Sequence, residues 1–131
     1  MGYTIEARTK WNHTGYRLQA GVAYDFTATG EWIDLDIPYT PDGGPSSSGK
    51  PIQRLVLRLT ESFRRRKKDN WFALIGAVGE DESTTFLIGS SLKNFVPIQD
   101  GELTCYANDV GWAYFNNKGS VTLTVKEAGK L

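Results

Sequence analysis

Short stretches in which apolar and polar residues alternate, each closed by a turn, restrict the fold of this chain more than any other feature. Residues 22–30, 83–88, 102–107 and 120–125 carry the period of two that turns one face of a strand toward a core and the other toward water. Residues 71–79 are apolar throughout and suit a strand covered on both faces. Turn signals fall between these runs, at Ala20-Gly21, 79–81, Gly89-Ser90, Asp100-Gly101 and Lys118-Gly119. Many short strands between such turns predict an all-β antiparallel sandwich or barrel. The chain has 131 residues, 40% of them hydrophobic. That is enough for one core, and 1–131 reads as a single domain without internal repeats.

Two segments depart from the alternation. Residues 37–49 are rich in Pro, Gly and Ser and read as a surface loop. In residues 52–63 apolar side chains recur at 52, 55, 56, 59 and 63, the stripe of a short helix. Leu55, Leu57 and Leu59 also alternate as a strand would, but the helix is the preferred reading. Five cations follow, Arg64-Arg65-Arg66-Lys67-Lys68. Cations favour a helix C-terminus, and Lys+Arg and Asp+Glu both number 15, so the chain is neutral overall. A neutral total without interleaved exposed aromatics argues against a nucleic-acid surface, while an acidic partner protein stays compatible with the run. No apolar run approaches the length of a membrane span, and no membrane insertion is expected. The N-terminal residues lack the basic-then-apolar pattern of a signal peptide. The chain as written therefore reads as cytoplasmic, with export by an unrecognised route left open. The single cysteine, Cys105, reads as a buried, inert thiol.

Chemistry concentrates in residues 107–120. Asp109, Asn116 and Asn117 flank an aromatic loop holding Trp112, Tyr114 and Phe115, with strand-like sequence on both sides. Carboxylate, amide and backbone carbonyl oxygens are hard ligands of the kind Ca²⁺ takes. The same residues also serve in ordinary turns. One carboxylate neither neutralises a divalent cation nor fills six to eight positions, so such a site would accept outside oxygens, for which adjacent sugar hydroxyls are suited. Nucleophile-elbow, phosphate-loop and zinc-protease motifs are missing. The acids at 80–82 read as a solvated turn, and His13 has no second His or Cys near it in sequence.

The order Asn108-Asp109-Val110, a Gly- and Tyr-containing loop, Asn116-Asn117 and Lys118-Gly119-Ser120 resembles the signature of the PA-I galactophilic lectin family. Thr29-Gly30-Glu31-Trp32, Ala73-Leu74-Ile75-Gly76, Phe86-Leu87-Ile88-Gly89 and Asp100-Gly101-Glu102-Leu103 extend the resemblance over residues 14–125. It implies a small jelly-roll β-sandwich, galactose-binding-domain-like, here with one short helix inserted. It implies a non-catalytic, Ca²⁺-dependent binder of galactoside-like carbohydrate. Asp109, Asn116 and Asn117 would hold the metal with the backbone carbonyls of Ala113 and Leu35, leaving two positions for vicinal sugar hydroxyls. Asp34 and Asp36 would add a carboxylate or touch the sugar. Trp112 would stack on a pyranose ring, with Tyr39 and Tyr114 as secondary candidates. Galactose-binding members add a His and a Gln from the loop after the Trp strand. Here Gln53 lies in that region, while the only histidine is His13. The alternative function is a protein- or polyanion-interaction module with a structural Ca²⁺ and a basic helix surface. Homo-oligomers are compatible with either reading.

Overall fold

The computed structural model describes residues 2–46 and 49–129, and two antiparallel sheets form its framework. The first contains β1 (Gly2–Glu6), β9 (Lys118–Glu127), β3 (Tyr24–Asp34) and β4 (Ile37–Tyr39) in that order, with β7 (Ser91–Phe95) also paired to β3. The second runs β2 (Asn12–Leu18), β8 (Gly101–Ala107), β5 (Leu74–Val78) and β6 (Phe86–Leu87). The spine of the first sheet is the β3–β9 pair, in register from Tyr24 opposite Glu127 to Ile33 opposite Lys118. Alternation along both strands sends Phe26, Trp32, Val121 and Leu123 to the same side, where they meet Leu74, Leu103 and Cys105 of the second sheet in one core. The Trp32 indole N–H donates to the Phe72 carbonyl at 2.9 Å, a polar tie across that core.

The run at 71–79 is buried throughout β5, as its composition requires, because the second sheet is covered on both faces. Its outer face carries a smaller cluster, Ala73, Ile75, Tyr106 and Tyr114, closed by Trp11. Cys105 is fully buried, and burial pushes its thiol far above the ordinary range. On β2 the pairing register to β8 slips between His13 and Arg17, with Gly15 at φ 77° inside the slip.

Several segments differ from the sequence reading. Strands β1 and β7 carry no clean alternation and were not expected. Residues 83–88 contribute only the two-residue β6, because Glu82–Thr84 form a 3₁₀ turn. The segment at 37–49 is not merely a surface loop. Ile37 and Tyr39 are core residues of β4, Pro41 and Gly44 are buried, and Gly44 exchanges two backbone hydrogen bonds with Trp71 at 2.9 and 2.8 Å. Gly43 (φ 70°) is required there, since a Cβ would overlap the backbone of Trp71 and Ala73. Ser47 and Ser48 of this segment lie outside the described residues.

The helix is present as α1 (Pro51–Thr60), continued by a 3₁₀ turn, Glu61–Phe63. Pro51 stands in its first turn, and Gln53 Oε1 accepts the Lys50 backbone N–H. Its orientation is unusual, because the only fully buried side chain on it is Leu57. The stripe at 52, 55, 56, 59 and 63, which would ordinarily face a core, faces solvent.

Candidate functional site

The site forms where one end of each sheet meets the other. Strands β3 and β4 are joined by a two-residue turn, Leu35-Asp36, with Asp34 opposite Ile37. Leu35 and Asp36 both have positive φ, 51° and 62°. This is the mirror-image turn that suits a right-twisted hairpin, usually built from Asn-Gly, and it is strained for a leucine. The hairpin fixes Asp34 at the sheet end, where it is 5% exposed. From the second sheet, β8 runs out into Asn108 and Asp109, both buried. Asn108 is a bracket. Its Oδ1 accepts the Arg66 N–H, and its Nδ2 faces the carbonyls of Arg66, Asp69 and Asn70 at 2.9–3.1 Å. Asp109 is then held by two donors, the Val110 N–H to Oδ1 at 2.7 Å and the Asn117 Nδ2 to Oδ2 at 3.0 Å.

Between them the loop turns once as a 3₁₀ segment, Tyr114–Asn116. The Tyr114 hydroxyl donates to the Ala107 carbonyl at 2.6 Å and fastens the loop to the end of β8. Asn117 spends its amide N–H groups on Asp109 and on the Ala7 carbonyl, leaving Oδ1 buried without a hydrogen-bond partner. Buried polar atoms are normally satisfied, and one that is not calls for an explanation.

Asp34, Asp109, Asn116, Leu35 and Ala113 line one cavity of about 200 Å³, walled on the helix side by Val56, Leu57 and Thr60 and at its lip by Trp112. Burial raises the Asp34 carboxyl to about 7, and the neighbouring Asp109 charge pushes it in the same direction. Burial also raises Asp109, opposed by its Asn117 and Val110 donors. Among the described residues no salt bridge reaches either carboxylate. Nor are three or more His, Cys, Asp or Glu among them placed together so as to hold a metal ion by themselves. A cation held here would therefore take amide and carbonyl oxygens beside two carboxylates, a donor set for a hard ion.

The other expected residues divide. Asn116 is exposed at the cavity edge. Asp36 is exposed beside Ile52 and Gln53. Gln53 has both ends engaged, Oε1 with the Lys50 N–H and Nε2 donating to the Leu35 carbonyl, so it braces the hairpin turn and shares the Leu35 oxygen with any cation. Tyr39 does not join the group: it is buried in the core against Phe72. Trp112 is neither core nor buried anchor. It is 65% exposed and stands edge-on to Phe63 at 5.4 Å. The helix wall of the cavity and the Asn108 bracket were not anticipated. The pairing of Asp34 with Asp109 joins opposite sheets and leaves no local spacing to read.

The basic run is a different object from the one its composition suggests. The Arg65 guanidinium packs 3.3 Å from the Tyr106 ring centre and 4.4 Å from that of Trp11. It pairs with Glu82 at 2.9 Å and bonds the Tyr114 hydroxyl at 3.0 Å, while its backbone N–H donates to the Asp109 carbonyl. Arg64 lies over Trp71, and Arg66 pairs with Asp69 and bonds Thr85. Only Lys67 and Lys68 are exposed. The acids at 80–82 are likewise engaged, Glu82 with Arg65 and Glu80 with His13 at 2.6 Å. His13 also bonds Glu102 at 2.8 Å.

No family model matches the chain, and no curated protein matches it. Among solved structures, a chain described as "EclA N-terminal domain; PllA-like lectin" aligns with a TM-score of 0.68 at 17% sequence identity, over 96% of this chain and 94% of that one. With two antiparallel sheets, one short helix and this alignment over nearly its whole length, the chain has the β-sandwich fold of a PllA-like lectin domain.

Proposed function

We propose that this chain is a non-catalytic, Ca²⁺-dependent carbohydrate-binding module, with the cation held between the β3–β4 hairpin and the loop from β8 to β9. The observation that carries the reading is the buried, unpartnered Oδ1 of Asn117 in the same side-chain cluster as the buried carboxylates Asp109 and Asp34. Two desolvated carboxylates without a cation are costly neighbours, and a hard divalent ion would satisfy all three groups together. Asp34, Asp109 and Asn117 would supply side-chain oxygens, with Asn116 and the carbonyls of Ala113 and Leu35 available at the cavity. Asp34 thereby moves from an accessory position to a principal one, and two carboxylates would balance the charge of Ca²⁺.

The cation would supply electrostatic attraction for hydroxyl oxygens, and the residues at the mouth would select what carries them. The cavity is smaller than the roughly 300–1,000 Å³ that encloses a drug-sized ligand, so it suits part of one sugar ring. The exposed Trp112 ring offers the apolar face on which pyranose C–H groups pack. The fold shared with a lectin domain supports the same reading. Galactosides are the probe of choice, although Gln53, bound at both ends, is a brace for the turn rather than a free sugar contact. The alternative of a basic interaction surface loses support because Arg64, Arg65 and Arg66 are spent inside the fold.

Calorimetric titration of chelator-stripped protein tests the proposal. Ca²⁺ should bind with a 1:1 stoichiometry, and added galactoside should tighten that binding, as linkage requires. Asp109→Ala should remove both heats. A chain that takes up no Ca²⁺ at millimolar concentration would overturn the reading.

A further inference from the structure

Seven large apolar side chains stand exposed on the two segments that wall the cavity: Ile52, Leu55, Val56, Leu59 and Phe63 on the helical segment, and Trp112 and Phe115 on the loop. The two segments connect through three of them: Val56 and Trp112 share the cavity, and the Phe63 and Trp112 rings touch. Apolar residues grouped in this way, rather than scattered singly, mark an interaction surface. The helix beneath carries Arg54 and Arg58 and no acid within its span, with Lys50 preceding it and the Lys10 ammonium close to Gly111 beside Trp112. The exposed acids in reach are Asp36, beside Ile52, and Glu61, which accepts a hydrogen bond from Ser46; Asp34 and Asp109 lie buried in the cavity.

We infer that this face is a docking surface for the headgroup region of an anionic lipid bilayer, with α1 lying in the interface plane and Trp112 and Phe115 inserted beside it. An amphipathic helix flanked by Arg and Lys and edged by Trp and Phe is the composition that partitions into that region. A second copy of the chain fits less well. A self-complementary contact repeats the same edges on both sides, bringing Arg54 and Arg58 toward their counterparts, and it would close the mouth of the cavity. A bilayer instead presents headgroups to that mouth. The neutral total charge, which led to no expected membrane role, does not govern this patch, where Lys10, Lys50, Arg54 and Arg58 stand beside the exposed acids Asp36 and Glu61, with Asp34 and Asp109 buried in the cavity behind them. The binding is peripheral, since no helix among the described residues is long and apolar enough to cross a membrane. The inference does not depend on the cation or on sugar, so its test is run in EDTA.

The full chain is mixed with vesicles of phosphatidylcholine, with and without phosphatidylglycerol, and both co-sedimentation and tryptophan emission are recorded. Binding to the anionic vesicles, weakened by salt, with a blue shift lost in Trp112→Phe, is the expected result. Leu55→Gln with Leu59→Gln should weaken partitioning by about tenfold or more, since each leucine removes substantial apolar burial. Both sites are exposed, and near-ultraviolet dichroism checks that the fold is retained. Failure to bind either vesicle overturns the inference. So does unchanged binding by the double leucine variant. A concentration-dependent dimer in sedimentation velocity, dissolved by the same leucine substitutions, would assign the face to a second copy instead.

Discussion

Asp34 and Asp109 are a pair of side chains that cost stability where they lie in the cavity proposed to hold the cation. Both are buried, neither has a cation partner among the described residues, and each is pushed toward its protonated form. Replacing Asp34 with Asn keeps the shape and removes one charge. In EDTA, urea unfolding should show the Asn variant more stable than the parent by about 1 kcal/mol, the scale of relief expected when an unpaired buried charge is neutralised in a partly hydrated site. The same variant should bind Ca²⁺ at least about tenfold more weakly, because charge count among the ligands sets affinity. A variant less stable without metal would contradict the view that this carboxylate is held at a cost. That Asp109, Asn116 and Asn117 are neighbours was legible in the sequence, because they sit in one continuous stretch, and their role as ligands is the proposal made above. Asp34 was legible only as an accessory, since its relation to Asp109 exists only after two sheets close on one another.

Among the elements, the segment after α1 was the least readable. Five consecutive cations look like a solvated surface, yet the partners of Arg65 are Trp11, Tyr106 and Tyr114, drawn from three separate parts of the chain. Flat guanidinium groups stack on rings and bond in their own plane, which an ammonium does not reproduce. Arg65→Ala should therefore destabilise the fold by about 2–3 kcal/mol, the cost of opening a well-packed polar and aromatic cluster. Lys67→Gln with Lys68→Gln should stay within about 0.5 kcal/mol of the parent, as exposed substitutions do. Chemical denaturation of both variants checks the contrast, and equal effects would sink it. The helix was found from its apolar spacing, but the direction that spacing faces was not. Periodicity reports that a stripe exists, and only the packing of Leu57 beneath it decides what the stripe meets.

At the scale of the whole molecule, the all-β class followed from alternation and turns, and the sandwich rather than a barrel from the resemblance to the lectin family. Residues 102–107 and 120–125 fall inside β8 and β9, and 71–79 contains β5. The strands that escaped, β1 and β7, are edge strands or short partners whose alternation is blurred by exposure on both faces. The outer edge of the second sheet carries a clasp of its own, in which His13 on β2 bonds Glu102 on β8 and Glu80 after β5. Glu102 first, then Glu80, raises the His13 imidazole above its usual value. A group whose folded value is raised contributes stability fully below the unfolded value and loses it as pH climbs through the folded one. Melting temperature should therefore fall as pH rises from below 6.5 past neutrality, and His13→Gln should flatten that part of the profile. A parent and variant with parallel profiles would remove His13 from the account.

The slipped register on β2 has a further consequence. An outer strand with an unbroken row of free amides and carbonyls invites a neighbouring chain to extend the sheet. Between His13 and Arg17 that row is interrupted, and Gly15 takes a conformation that a growing ladder cannot copy. A chain that keeps a broad apolar face open for a partner therefore denies incoming strands a regular template at this border, so its exposed surface can remain adhesive without seeding fibres there.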